Sequence, residues 1–235
     1  QSRGLGDVYK RQKLIVLDGL DGCGKSTQFE LLQQVLRDAG KTVKPISFPM
    51  YEKPSATLVK MYLQGEFSNS PGGVNAYAAS SFYAVDRYAN FKLDWEQNYQ
   101  QGEWILASRY VTSNAIHQMS KLPPEEWDSF LAWLADYEYE KLGMPRPDLV
   151  LFLSLPLALS QKLLSQRYAG DDSKKDIHEA DLAYLAQCDR AAHYVAEKLG
   201  WRCIPCAKDG ALRSIPEIRD MLTDSIQEAF HAAFS

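Results

Sequence analysis

Gly19, Gly22, Gly24, Lys25 and Ser26 stand in the order G-x-x-x-x-G-K-[ST], the spacing of a loop that wraps a polyphosphate. Glycines take the positive φ angles that turn successive backbone N–H groups inward. A helix opening at Lys25 adds its partial positive charge at the same point. Lys25 is then placed to reach the β- and γ-phosphates of a triphosphate, and the Ser26 hydroxyl to ligate Mg²⁺. Leu20, Asp21 and Cys23 complete the loop, and Thr27 lies one residue deeper in the helix. A glycine turn with a purely structural role is the alternative, and the Lys-Ser pair closing the motif counts against it.

Such a loop works only between a buried strand and a helix, and the flanking sequence supplies both. Residues 14–17 form an apolar run of strand length, and residues 25–39 have helical periodicity closed by Gly40. Strands are predicted at 43–48, 104–107, 148–153 and 202–206. Helices are predicted at 55–63, 75–99, 124–142, 157–168, 179–199 and 215–230. This alternation is the pattern of an α/β fold, a five-stranded parallel sheet with helices on both faces.

The chain has 235 residues and a formal net charge of −4. An acidic balance argues against nucleic acid or an anionic membrane as the main partner, since such binding neutralises phosphates with Lys and Arg. Residues 1–12 contain no apolar run and join abruptly onto the first strand, so they are expected to be a non-native, adaptor-like leader. A disordered native leader is the alternative. One domain is expected over 13–235, and no apolar stretch has the length of a membrane span. With Cys23, Cys188, Cys203 and Cys206 unevenly placed, the thiols fit a reduced, cytoplasmic protein. Cys203 and Cys206 lack a second ligand pair and are read as structural.

Outside the loop, Tyr83 and Arg87 are four residues apart on the long helix, so a ring and a guanidinium share one face. The alternative is a core aromatic beside a surface ion pair. Arg109 directly follows the third strand, where open α/β sheets bind ligands. The polar interruption 170–176 is the best candidate for a mobile lid, placed at about 169–178. No Asn-Lys-x-Asp follows a strand, so a guanine-reading switch protein is excluded.

Four blocks together resemble thymidylate kinase: Gly19 to Thr27; Phe48-Pro49; Phe82-Tyr-Ala-Val-Asp-Arg87; and Arg109-Tyr-Val-Thr-Ser-Asn-Ala-Ile-His-Gln118. The resemblance covers essentially all of 13–230 and implies a P-loop fold of the nucleoside-monophosphate-kinase type that moves a phosphoryl group from ATP to dTMP, with Mg²⁺. It implies that Tyr83 covers the thymine ring, with Phe82 as substitute, and that Arg87 and Gln118 contact the base. Arg109 would hold the acceptor phosphate, Asp21 would reach the deoxyribose 3′-hydroxyl, and Phe48, Tyr51 and Ser113 would line the dTMP site. Relatives commonly dimerise, so a homodimer is implied.

Three positions depart from the family pattern. Gly22 stands where one branch carries an arginine, so the chain resembles the bacterial-type branch, in which lid cations neutralise the transferring phosphoryl group; Arg167, Lys174 and Lys175 are the candidates. A solvated charge pair is the alternative for the two lysines. Ser108 replaces a carboxylate that organises Mg²⁺ and its waters. Tyr51 replaces a second arginine on the acceptor phosphate, so that either Arg109 acts with only a hydroxyl beside it or Lys53 or Lys60 contributes. Two alternatives stand beside dTMP phosphorylation: a kinase for another pyrimidine nucleotide, and a weakly catalytic ATP-binding relative.

Overall fold

The computed structural model describes residues 12–231; residues 1–11, and with them nearly all of the expected leader, lie outside the described residues. Five parallel strands form one sheet in the order β2-β3-β1-β4-β5. They are β1 (Lys13–Gly19), β2 (Val43–Ser47), β3 (Trp104–Ser108), β4 (Leu149–Ser154) and β5 (Arg202–Pro205). The central strand is apolar on both sides because both sides are covered. Leu14 and Val16 point into one core with Ile105, Val150 and Phe152, while Ile15 and Leu17 point into the other with Leu106, Leu151 and Ile204.

Helices α1 (Lys25–Asp38) and α9 (Ile215–Phe230) close the second core. The first is closed by α5 (Val111–His117), α6 (Trp127–Ala135) and α8 (Leu182–Leu199). Helices α2 (Thr57–Leu63), α3 (Ala76–Asn90) and α7 (Leu157–Arg167) complete the framework around the C-terminal strand ends, and α4 (Glu96–Gln100) leads into the start of β3. Leu17 and Ser47 both lie level with Ser108. The residues that follow these strands therefore meet along one edge, where open α/β sheets hold their ligands.

Several boundaries differ from the sequence expectation. The helix expected over 75–99 is interrupted by a π-helical turn, Phe91–Trp95, whose extra residue places both Phe91 and Trp95 in the core with their rings 4.5 Å apart. The segment 124–142 likewise divides into a 3₁₀ turn, α6 and a π-helical turn, Asp136–Lys141. Helix α8 begins at Leu182 rather than 179, because the Asp181 side chain accepts the Tyr184 amide (2.9 Å) and fixes the N-terminus there. Helix α5 was not expected: seven residues give too little periodicity to read. Among the described residues no helix is long and apolar enough to cross a membrane. Cys203 is exposed and Cys206 buried, and both are free.

Candidate active site

A cleft of about 450 Å³ opens over the C-terminal ends of β1, β2 and β3. The loop after β1 forms its floor. Gly22 and Gly24 have φ of 79° and 82°, so the loop takes the left-handed turns that glycine permits. A Cβ at Gly22 would come within 2.6 Å of the Ser160 carbonyl oxygen and 2.8 Å of Leu164 Cγ. The loop is thus packed against the backbone of α7, and position 22 has no room for any side chain. The same helix ends at Arg167, which lines the cleft. Lys25 donates to the Gly19 carbonyl (3.1 Å), and Ser26 lines the cleft at the start of α1. Gly19, Leu20 and Thr27 are not on the cleft wall; Leu20 is buried in the core.

Arg109 follows β3 with φ of 64°, a conformation costly for a residue with a Cβ. Its guanidinium ion-pairs with Asp21, lies 3.7 Å from an Asp18 oxygen, and donates to Ser113 Oγ (3.4 Å) and His117 Nε2 (3.3 Å). Burial alone would raise the Asp21 pKa, yet the charges of Arg109 and Lys25 hold it well below the usual carboxylate range. His117 is lowered to about 4 by burial and by Arg109. Since a guanidinium only donates, the hydrogen-bond network assigns His117 as neutral with its proton on Nδ1. Asp18, next to last in β1, is fully buried and accepts from the Gly19 amide (2.8 Å), Thr112 Oγ1 (2.5 Å) and Ser113 Oγ (2.8 Å).

Tyr83, Arg87, Asn114 and Gln118 line the cleft with Arg109, as do the buried Phe48 and the exposed Tyr51. The Phe48–Pro49 peptide is cis. Phe82 turns away from the cleft, packing on Phe67 and Tyr62 with ring centroids 5.5 Å and 6.4 Å apart. Of these two neighbours, Tyr83 is therefore the ring that faces the cleft. Arg87 is 1% exposed, and Glu138 takes its Nε (2.8 Å) and Nη2. Gln118 is equally buried. Its amide approaches the Tyr62 hydroxyl without a hydrogen bond of good geometry, and neither polar atom has a partner among the described residues.

Of the expected lid cations, Arg167 and Lys174 line the cleft and Lys175 does not. The Lys174 ammonium is 3.5 Å from Asp171. Asp176, His178 and Glu179 also face the cleft. Burial, with Asp21 nearby, raises Asp176 to about 6. Lys53 and Lys60 are off the cleft wall, and Lys60 donates to the Tyr51 carbonyl (3.1 Å).

A magnesium ion fits this donor set as a nucleotide-borne one. The Ser26 hydroxyl faces the cleft beside Lys25, Ser108 stands at the end of β3, and among the described residues no three His, Cys, Asp or Glu side chains cluster into a cage. Magnesium held by one hydroxyl, phosphate oxygens and waters needs no more.

A family model described as thymidylate kinase matches residues 17–211. The chain belongs to the thymidylate kinase family. It is 30% identical over 191 residues to the thymidylate kinase of Mycobacterium tuberculosis, covering 80% of this chain and 87% of that one. It is 31% identical to the human enzyme over 65% of this chain and 66% of that one. Thymidylate kinase from Candida albicans has the same fold, with a TM-score of 0.70 and 22% identity over 94% of each chain.

Sequence reasoning singled out neither Asp18 nor Asn114, His117, Asp176, His178 and Glu179. Asp18 was legible as the polar residue closing an apolar strand. Asn114 and His117 lay inside the block after β3, directly beside Ser113 and Gln118. Asp176 and His178 lay within the expected lid and Glu179 at the expected start of the next helix, none with a signal of its own.

Proposed function

We propose that this member of the thymidylate kinase family transfers the terminal phosphoryl group of ATP to dTMP, giving ADP and dTDP. The observation that carries the reading is the position of Arg109. It stands opposite the Gly19–Ser26 loop, already paired with Asp21, so a phosphate held by its fork faces a phosphate held by the loop. The acceptor monoester, with a second pKa near ~6, is largely dianionic at neutral pH and needs no strong general base. Lys25 and the loop amides bind the donor phosphates, Arg109 the acceptor phosphate, and Tyr83, Arg87 and Gln118 the base. Arg167, at the end of α7, and Lys174, on a lid at about 169–178, neutralise charge on the group in flight, while Lys175 lies off the cleft wall. Magnesium, held through Ser26 and the nucleotide, would offset phosphate charge.

The test is ADP release with dTMP, dUMP, dCMP, UMP and AMP offered separately. Preference for dTMP is expected; preference for another acceptor contradicts the reading. A homodimer in the cytoplasm belongs to the same proposal, supported by Tyr77, Val85 and Tyr88 exposed along one face of α3. Sedimentation showing only monomer at micromolar concentration would contradict the dimer.

A further inference from the structure

Glu138 is fully buried, lies behind the cleft wall, and sits in the π-helical turn Asp136–Lys141. The wider turn carries its carboxylate inward to two side chains of the wall. It accepts from Arg87 Nε (2.8 Å) and Nη2, and from Asn114 Nδ2 (3.1 Å). Arg87 Nη1 is held by the Tyr110 carbonyl (3.3 Å), and Asn114 Nδ2 gives its other hydrogen to the Ser80 carbonyl (3.1 Å). Both hydrogens of the Asn114 amide are thereby spent, so this side chain has only its Oδ1 acceptor left to offer the cleft. Arg87 keeps one free N–H on each Nη and can only donate.

We infer that Glu138 is a positioning residue that fixes the polarity of the base-reading wall, donors from Arg87 beside an acceptor from Asn114, and so selects a 4-oxo pyrimidine over a 4-amino one. The inference rests on the proposed pyrimidine-nucleotide acceptor. Thymine and uracil carry an acceptor O4 next to a donor N3–H, which this wall complements. Cytosine carries a donor amino group next to an acceptor N3, and both would meet their own kind. A site whose polar groups are fixed rejects the mismatched ligand because buried groups would be left unpaired. The 5-methyl group is not read by this pair, so dUMP shares the favourable polarity.

Glu138→Gln tests the inference. An amide at 138 can donate to Asn114 Oδ1, letting the Asn114 amide turn its N–H groups toward the cleft, and it frees part of the Arg87 fork. With Mg²⁺ and saturating ATP, the ratio of kcat/KM for dTMP to that for dCMP is expected to fall at least about tenfold. The KM for ATP should stay within about twofold of wild type. Glu138→Asp keeps the charge and supports folding if the glutamine variant does not; its shorter side chain cannot reach both partners, and a several-fold fall in the same ratio is expected. A purely structural role would lower both acceptors equally, and a ratio unchanged in the folded variants overturns the inference. Wild-type protein with no preference for dTMP over dCMP would instead refute the acceptor assignment on which it rests.

Discussion

The Arg109 guanidinium and the Asp21 carboxylate form an ion pair across the cleft, tying the end of β3 to the phosphate loop after β1. The pair is buried enough that each group holds the other charged: Asp21 is depressed, and Arg109 is raised by Asp21 and Asp18 against the opposing effect of burial. The Arg109 fork is thereby oriented by Asp21, Ser113 and His117, as the proposed grip on a dianionic phosphate requires.

Replacing that fork while keeping its charge isolates its geometry. Arg109→Lys should lower kcat/KM for dTMP by about 100-fold, equivalent to ~2.7 kcal/mol, with little change in the KM for ATP. A loss under about threefold would mean that Arg109 does not grip the acceptor.

Gly22 is confined twice, by its positive φ and by the Ser160 carbonyl against which a Cβ would press. Gly22→Ala should therefore destabilise the protein by roughly 1–3 kcal/mol and slow turnover by distorting the loop. Urea denaturation measures the first effect; a midpoint equal to wild type would show that α7 yields at no cost.

Asp176 makes stability depend on pH. Its folded-state value of about 6 lies above the ordinary 3.8, so the native state binds more protons between these values. The resulting stabilisation is full below 3.8 and is lost as pH rises through 6. Asp176→Asn keeps the oxygen that accepts from the His178 and Glu179 amides (both 2.9 Å) and cannot ionise. The variant should melt higher than wild type at neutral pH, the gap closing as pH falls toward 4; a constant gap across melts in that range would contradict the assignment.

Ser108 ends β3 on the cleft wall, level with Leu17 and Ser47. A carboxylate there would hold magnesium and its waters. Ser108→Asp should lower the Mg²⁺ concentration giving half-maximal rate, and an unchanged titration curve would show that the serine costs nothing.

The parallel sheet was legible because its central strand is an unbroken apolar run and the longer helices after β1, β4 and β5 have clear periodicity. What escaped was set by tertiary packing. The π-helical turns at Phe91–Trp95 and Asp136–Lys141 exist to bury particular side chains, and local periodicity does not encode them. At the site, the Gly19–Ser26 loop and Arg109 could be read from spacing. The Glu138 partnership with Arg87 joins residues 51 apart in the chain, and nothing near Glu138 marks it. The resemblance favours Tyr83 with Phe82 as substitute, and the orientation of α3 sends the Tyr83 ring into the cleft and the Phe82 ring onto Phe67.

The most direct test of phosphoryl transfer to dTMP is phosphorus NMR of the purified protein with ATP, Mg²⁺ and dTMP. The account predicts that the dTMP monoester signal is replaced by the paired α and β signals of dTDP as ADP accumulates, with no change when Lys25→Ala replaces wild type. An unaltered dTMP signal in the presence of wild-type protein, or conversion equal in the Lys25→Ala variant, would contradict it.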